Sequence, residues 1–323
     1  MQRKPKKPIY IEEYTLINGI LQFLLHTGTK PENPVLLFLH GGPGSVESLF
    51  AHAMQDKWED IFTVVHWDQR GAGKTLTKNP KSLPTLELML KDLFAVIQYL
   101  KEKYRQQKIA LLGHSWGSVL GSTFVKKHPG QISFYVGTGQ VISMLENERV
   151  GYAKLKERIT GAGDGKALRT LKKIGDYPGE KLIMDDCFIK RMGQIRKLQG
   201  KYGLAIKIDG PMRKIVSTSP IFHTSDFWAM IKGPKANKYI MKDFLAQFDL
   251  NTESASYEIP MYYILGENDW QTPYTIAEDY FEKIQAPDKK KYILPDAGHF
   301  AMLDQPTLFF EALREISQRT LIT

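Results

Sequence analysis

Short hydrophobic runs near both ends of the chain predict strands that are buried on both faces. The runs lie at residues 34–40, 62–67, 109–112, 261–265 and 291–294. Uninterrupted apolar runs of this length are typical of a parallel sheet that helices cover on both sides. Two further strand-like stretches, residues 9–16 and 19–26, meet at Asn18-Gly19, a dipeptide typical of a two-residue hairpin turn.

Amphipathic helical patterns separate these runs. Behind Pro84-Thr85, apolar residues recur at helical spacing as far as Leu100. Further helices are predicted at residues 118–127, 276–284 and 305–317, and Asp304-Gln305-Pro306 predicts the start of the last one. Strands that alternate with helices predict an α/β domain.

Residues 141–255 interrupt the alternation. They form helical, basic segments with little strand character, and the earlier pattern returns at Met261. Because the later strands need a sheet to join, we interpret residues 1–140 and 256–323 as one α/β core. Residues 141–255 are then an inserted, mostly helical cap.

Cysteine content and hydropathy limit the class of protein. Cys187 is the single cysteine, which excludes an intramolecular disulfide and a zinc site made of cysteines, and favours a reducing compartment. The basic segment MQRKPKKP at the start precedes a stretch that Glu12 and Glu13 interrupt, so we expect no signal peptide. No apolar run approaches the roughly 18 residues of a membrane span. We therefore expect a cytoplasmic protein without a membrane partner.

The net charge of +9 is concentrated in the insertion. Residues 141–255 contain 21 Lys and Arg against 13 Asp and Glu. The basic residues are dispersed among acidic and apolar ones, and no nucleic-acid-binding motif accompanies them. We interpret the pattern as a solvated helical surface and expect no nucleic-acid partner.

The motif with the clearest chemistry is Gly113-His114-Ser115-Trp116-Gly117. This G-x-S-x-G sequence follows the predicted strand 109–112 directly and precedes a predicted helix. In that context it is typical of a tight strand-to-helix turn that exposes a nucleophilic serine, with small residues on either side. We therefore predict Ser115 as a nucleophile.

A serine nucleophile needs a base and an acid that orients the base. Asp269 follows the predicted strand 261–265, and His299 follows the predicted strand 291–294. We predict that His299 is the base and Asp269 the acid; Glu267 is the rival acid and Asp296 a weaker one. Residues 40–44, HGGPG, follow another strand and suit an oxyanion loop.

We assign the oxyanion donors to the backbone N–H groups of Gly42 and Trp116. His40, in the same loop, could serve as a second base, but its ring is better suited to bracing the loop.

Three motifs together resemble the proline iminopeptidase (prolyl aminopeptidase) family of α/β-hydrolases. They are HGGPG at 40–44, DQRGAGK at 68–74 and GHSWGS at 113–118. The resemblance implies the α/β-hydrolase fold, a helical cap over the site, and removal of an N-terminal residue, often proline, from a small peptide or amide. It also implies no metal and no organic cofactor, and a structural role for Asp68 and Arg70.

The insertion departs from this family. Members that cleave N-terminal proline hold the substrate ammonium with cap glutamates near a Trp-rich stretch, and that pattern is missing here. Trp228 is the single tryptophan of the insertion, and no glutamate follows it closely. The candidate substrate-binding residues are Glu146, Glu148, Asp185, Asp186 and Trp228, although a carboxylate on a helix is ordinarily solvated.

The sequence thus predicts a serine hydrolase that acts through an acyl-enzyme. One alternative keeps the same triad but acts on an ester or a small amide. Another is a catalytically idle hydrolase fold that serves as a ligand receptor. The basic insertion leaves nucleic-acid binding as a third. Dehalogenase chemistry is disfavoured, because it would need a carboxylate in place of Ser115.

Overall fold

A computed structural model describes residues 9–206 and 209–322, and the basic segment at residues 1–8 lies outside them. Eight strands form a single sheet. Their bounds are β1 Ile9–Ile17, β2 Ile20–Gly28, β3 Val35–Leu39, β4 Thr63–Asp68, β5 Ile109–His114, β6 Ile132–Thr138, β7 Met261–Gly266 and β8 Lys289–Leu294. Their order across the sheet is β1-β2-β4-β3-β5-β6-β7-β8.

The sheet is antiparallel at one edge and parallel elsewhere. β2 pairs antiparallel with β1 and β4, and every pair from β4 to β8 is parallel. Asn18 and Gly19 connect β1 to β2 with φ values of 43° and 81°. Positive φ at both positions is what a two-residue turn needs to match the twist of its strands.

Helices follow each of the strands from β3 to β8. Those before β6 are α1 Ala51–Met54, α2 Gly73–Lys78, α3 Leu86–Tyr104 and α4 Trp116–Lys127. Between β6 and β7 lie α5 Met144–Gly161, α6 Gly165–Ile174, α7 Asp186–Lys201, α8 Gly210–Ser217, α9 Thr224–Ala236 and a π-helical turn, Ile240–Phe244. After β7 come α10 Tyr274–Lys283, α11 Ala301–Asp304 and α12 Pro306–Ile322.

The predicted α/β class is confirmed, and two local expectations need correction. The sequence analysis did not identify β6, because Ser133 and Gly137 break its apolar run. The last helix begins at Pro306, one residue after the predicted start at residue 305. The Asp304 carboxylate, however, accepts a hydrogen bond from the N–H of Gly298, 2.8 Å away, in the loop that carries His299.

Side chains alternate between the two faces of the sheet and form two apolar layers. Leu37 and Leu39 of β3 face the layer that α3 and α4 cover, whereas Leu36 and Phe38 face the layer that α12 covers. All four are fully buried. Burial of this area supplies most of the favourable free energy of the fold.

The insertion has an apolar cluster of its own. Its buried members come from α5, α6, α7 and the loops beside them. They include Leu155, Leu171, Phe188 and Ile195. Helices α5, α6 and α7 therefore form a second, smaller core. Other buried residues of the insertion, such as Val216 and Leu245, belong to the two layers that pack on the sheet.

Helix α9 attaches the insertion to the sheet through a buried ion pair. Lys74 Nζ of α2 lies 2.9 Å from Asp226 Oδ2 of α9, and both side chains are almost completely buried. Asn237 donates to the Gly71 carbonyl at 2.9 Å. Gly233 lies so close to Gly44 that a Cβ on Gly233 would be 2.2 Å from the Gly44 oxygen. This helix is thus packed directly on the HGGPG loop.

We expect Asp226→Asn to lower the free energy of unfolding by about 3 kcal/mol, because it leaves the Lys74 ammonium buried without a counter-charge. Urea unfolding measures the change. Glu87→Gln is the matched control, since it removes a carboxylate from the exposed Lys91–Glu87 pair and should have little effect. Equal stability of Asp226→Asn and wild type would contradict this role for the pair.

Candidate active site

Ser115 lies in a strained turn between β5 and α4. Its φ is 53° and its ψ is −118°, and α4 begins at the next residue, Trp116. The flanking glycines are sterically required: a Cβ on Gly117 would lie 1.9 Å from the Leu39 oxygen, and one on Gly113 would lie 2.6 Å from the Gly117 oxygen. Positive φ at a non-glycine residue stores backbone strain that the surrounding packing must maintain.

Asp269 and His299 form a buried acid–base pair. His299 Nδ1 lies 2.8 Å from Asp269 Oδ2, and both side chains are nearly inaccessible to solvent. The other carboxylate oxygen, Oδ1, accepts the backbone N–H groups of Gln271 and Thr272, each at 3.0 Å. The Thr272 hydroxyl donates to Oδ2 at 2.8 Å. These donors hold the carboxylate in one orientation.

The Asp269 carboxyl has a pKa below its ordinary value of 3.8. Burial by itself would raise this pKa. The charge and hydrogen bond of His299, together with the hydrogen bonds from Thr272, outweigh the cost of burial. Asp269 is therefore ionised at neutral pH, which suits an acid that orients a histidine.

The His299 ring lies beside the residue that precedes the serine. The ring centroids of His114 and His299 are 4.9 Å apart. On the other side, a Cβ on Gly139 would be 3.0 Å from His299 Cε1. In the described part of the chain, His299 Nε2 has no hydrogen-bond partner. This nitrogen is available to accept a proton. The hydrogen bond between a serine nucleophile and its base is often long before substrate binds.

The rival acids lie elsewhere. Glu267 and Asp296 are both exposed. Among the described residues, the carboxylate that hydrogen-bonds to His299 belongs to Asp269. The structure therefore brings Asp269 to the imidazole and leaves Glu267 and Asp296 in solvent.

The HGGPG loop contacts the serine turn. A Cβ on Gly41 would be 3.1 Å from Ser115 Cβ, and Gly42 has a φ of +114°, which glycine alone adopts readily. The N–H of Trp116 lies at the first position of α4, where it has no partner within the helix. These are the positions of the two backbone donors that we assigned to an oxyanion.

Both ring nitrogens of His40 are already used within the loop. Nδ1 lies 2.8 Å from the Gly41 oxygen and donates to it, while Nε2 accepts the Gln69 N–H at 3.1 Å. The Gln69 side chain donates to the His40 carbonyl and accepts the indole N–H of Trp116 at 3.0 Å. His40 thus braces the loop, and Gln69 connects it to the first residue of α4.

The DQRGAGK segment is held by buried polar contacts. Arg70 binds the two oxygens of Asp92 at 2.7 and 3.0 Å. The Asp68 carboxylate accepts the Lys74 N–H at 2.7 Å. The first contact joins the segment to α3, and the second holds the backbone at the start of α2.

A second acid–histidine pair lies behind the serine turn, and the sequence analysis did not identify it. His114 Nδ1 lies 2.9 Å from Glu47 Oε2, and its Nε2 lies 3.0 Å from the His299 carbonyl oxygen. The carbonyl oxygen can only accept, so Nε2 donates to it, and an ionised Glu47 accepts from Nδ1. Together, buried Glu47 and His114 hold the His299 backbone. No motif in the sequence marks Glu47.

The electrostatics of this pair agree with its geometry. Burial favours the neutral form of both groups, but their mutual attraction outweighs it. The pKa of Glu47 consequently lies below 4.5, and that of His114 lies above 6.5.

The residues nominated in the insertion do not converge on one place. Glu146 pairs with Arg149 on α5 at 2.8 Å. Asp185 caps α7, and exposed Asp186 pairs with Lys238 and Lys242. Trp228 lies on an exposed part of α9. Glu148 alone among these five is buried, bonded to Tyr177 and Arg196.

Residues 9–206 and 209–322 contain no cluster of three His, Cys, Asp or Glu side chains placed to hold a metal ion. None of their helices combines the length and apolar composition needed to cross a bilayer.

The sheet order, the serine turn after β5 and the acid–histidine pair after β7 and β8 define an α/β-hydrolase. Residues 30–161 match the family described as serine aminopeptidase, S33. The probable aminopeptidase YbaC of Bacillus subtilis (strain 168) is 29% identical, over 95% of this chain and 96% of that protein. The proline iminopeptidase of Lactobacillus helveticus is 23% identical, over 89% and 91% of the two chains.

Solved structures share the fold. The proline iminopeptidase of Mycobacterium smegmatis aligns with a TM-score of 0.69 at 18% identity, over 96% of this chain and 98% of that one. An esterase from Exiguobacterium antarcticum aligns with a TM-score of 0.63 at 18% identity, over 95% and 100%. The chain thus has the α/β-hydrolase fold and is similar in sequence to serine aminopeptidases and proline iminopeptidases, which confirms the resemblance that its motifs indicated.

The Glu47–His114 pair should make stability depend on pH. Because folding lowers the pKa of Glu47, its contribution is present above about pH 4.5 and is lost as pH falls. Because folding raises the pKa of His114, its contribution is complete below pH 6.5 and is lost as pH rises through the raised value. We expect the stability difference between wild type and Glu47→Gln to be largest between these two pH values.

Urea unfolding of both proteins from acidic to alkaline pH measures this difference. It should shrink at high pH, where His114 loses its proton. A difference that grows as the solution becomes alkaline would contradict the protonated state of His114.

Proposed function

We propose that the chain is a serine hydrolase that cleaves an amide bond of a small substrate through an acyl-enzyme, with the insertion as a cap. The observation that carries the proposal is the buried His299–Asp269 pair, 2.8 Å apart, beside the strained turn that presents Ser115. In the proposed site Ser115 is the nucleophile, His299 the base and Asp269 the acid that orients it.

Each group has a defined role in the mechanism. Ser115 Oγ attacks the substrate carbonyl while His299 Nε2 takes the hydroxyl proton, and Asp269 stabilises the resulting imidazolium. The N–H groups of Gly42 and Trp116 bind the oxyanion, an interaction worth about 2.7 to 4 kcal/mol per donor. His299 then protonates the leaving amine as the carbon–nitrogen bond breaks, and water releases the acyl group by the same path.

The relatives favour an N-terminal residue, such as proline or another small residue, as the acyl part. The similar proteins of Bacillus subtilis and Lactobacillus helveticus are a probable aminopeptidase and a proline iminopeptidase. A second candidate, with the same triad, is hydrolysis of an ester or a small amide. Its support is the pairing of Glu146, Glu148 and Asp186 with basic side chains, since paired carboxylates are poor ligands for a substrate ammonium.

We expect Ser115→Ala to abolish covalent labelling by a fluorophosphonate probe, because the variant lacks the attacking oxygen. Labelling is read on a gel by fluorescence. The matched control is Ser122→Ala, which removes a buried hydroxyl from the same helix, α4, and should keep full labelling. Labelling of Ser115→Ala at the wild-type rate would refute the nucleophile. An unlabelled wild-type protein would favour the idle receptor.

Asp269→Asn should lower kcat by roughly 10³- to 10⁴-fold, because the amide cannot hold the imidazole in the required tautomer. Glu267→Gln is its control, since Glu267 is exposed and lies in the same loop. Steady-state kinetics on an activated ester measure both variants. Comparable losses in the two variants, or a loss confined to Glu267→Gln, would contradict the assignment of Asp269.

A further inference from the structure

All thirteen acidic side chains of residues 141–255 lie in the described part of the chain, so their partners can be compared. Two of them are buried, Glu148 and Asp226. The half-buried ones are Glu146, Asp164, Asp209 and Asp249. Glu146 pairs with Arg149, and the other three cap the starts of helical segments. The rest are exposed to water.

The charge of each buried carboxylate is already balanced. Glu148 accepts the Tyr177 hydroxyl with one oxygen and an Arg196 nitrogen with the other. Asp226 binds Lys74 Nζ with both oxygens, at 3.1 and 2.9 Å. Of the described acidic residues in the insertion, none combines burial with a charge that a substrate could neutralise.

This balance restricts what the site can bind. An ammonium that leaves water beneath a cap needs an anionic partner, since an uncompensated buried charge is very costly. An exposed carboxylate is a weak partner for such an ammonium, because water and salt screen its charge. The acyl part of the substrate is therefore better matched to the insertion if it carries no charge.

Asn147 offers a neutral alternative. Its side chain is 1% exposed, and neither its amide nitrogen nor its amide oxygen has a hydrogen-bond partner in the described structure. Buried amides are normally hydrogen-bonded, and leaving one unpaired is costly. A substrate group that both accepts and donates a hydrogen bond would satisfy both atoms.

The position of Asn147 on α5 places it beside the catalytic acid loop. Gly151, one turn further along the same helix face, is so close to that loop that a Cβ would be 2.5 Å from the Trp270 oxygen. Trp270 directly follows Asp269. At the other end, Gly139 packs on the His299 ring, five residues before α5 begins at Met144. Asn147 thus lies on the face that crosses the loop of Asp269.

We propose that the substrate carries an uncharged hydrogen-bonding group, a hydroxyl or an amide, beside the scissile carbonyl, and that Asn147 binds this group. The proposal rests on the proposed serine hydrolase function and selects the substrate class. It separates this chain from enzymes that recognise a free terminal amine. Asn147 is then a specificity-determining residue.

Three phenyl esters of matched shape test the substrate class, because an amide-cleaving or an ester-cleaving serine enzyme would accept them. They are the phenyl esters of lactic acid, isobutyric acid and alanine. On the carbon next to the carbonyl they carry a hydroxyl, a methyl and an ammonium, respectively. At pH 6.5 we expect kcat/KM for the lactate to exceed that for the alanine ester by about tenfold or more, because the ammonium must lose its hydration. Phenol release measures the rates.

The pH dependence has opposite signs under the two hypotheses. An α-amino group loses its proton at about pH 7.7 to 8.0. If the site prefers a neutral group, kcat/KM for the alanine ester should rise relative to the lactate through this range. A preference for the alanine ester that weakens as its amine deprotonates would overturn the proposal.

Variants of Asn147 test the assigned residue. Asn147→Leu should reduce the preference for lactate over isobutyrate from about tenfold to near one, because it removes both hydrogen-bonding atoms. Asn147→Asp introduces a carboxylate without a cationic partner. It should raise kcat/KM for the alanine ester relative to kcat/KM for the lactate ester. Glu157→Gln, on the exposed face of α5, is the control and should keep the wild-type preferences.

Each outcome has a distinct meaning. Equal rates for lactate and isobutyrate in wild type, or unchanged ratios in both Asn147 variants, would overturn the role of Asn147. Failure of the proposed function looks different, since the wild-type protein would then cleave none of the three esters and would resist the fluorophosphonate probe. That result would overturn both proposals.

Discussion

The site depends on one close backbone approach, between Gly117 at the start of α4 and the carbonyl of Leu39 at the end of β3. No side chain fits there, because a Cβ would lie 1.9 Å from the Leu39 oxygen. This approach brings α4 against the end of the neighbouring strand and forces Ser115 into its positive-φ turn. The HGGPG loop continues from β3, so the same contact sets the distance between the loop and the serine.

Three buried ion pairs hold the segments near this turn. Glu47 with His114 holds the backbone of His299, Arg70 with Asp92 holds the loop after β4, and Lys74 with Asp226 joins α2 to α9. A buried pair contributes little net stability compared with an apolar replacement, but loss of one partner is costly. Such pairs therefore favour one arrangement of the loops over alternatives.

The insertion is attached asymmetrically to the core. Helix α9 contacts the HGGPG loop and α2, whereas α5 contacts the loop after β7 at Gly151 and Trp270. The HGGPG loop and the loop of Asp269 thus each touch a different helix of the insertion. A change in the packing of either helix would reach a different part of the proposed site.

The sequence alone determined the α/β class, the hairpin at Asn18-Gly19 and the three far-separated residues proposed as the triad. It could do so because these features are local: apolar runs, turn dipeptides and a G-x-S-x-G motif in a strand–helix context. It did not identify β6, whose apolar run is broken by small and polar residues.

Only the tertiary structure decided which acid reaches His299 and what the nominated insertion carboxylates do. Glu267 and Asp269 are two residues apart and chemically alike, and only the path of the loop distinguishes them. The sequence analysis did not identify Glu47, because its partner His114 is distant along the chain. It did not identify Asn147 either, because its side chain is distinguished only by burial without a partner among the described residues. Burial and pairing are properties of the folded surroundings, and no local pattern records them.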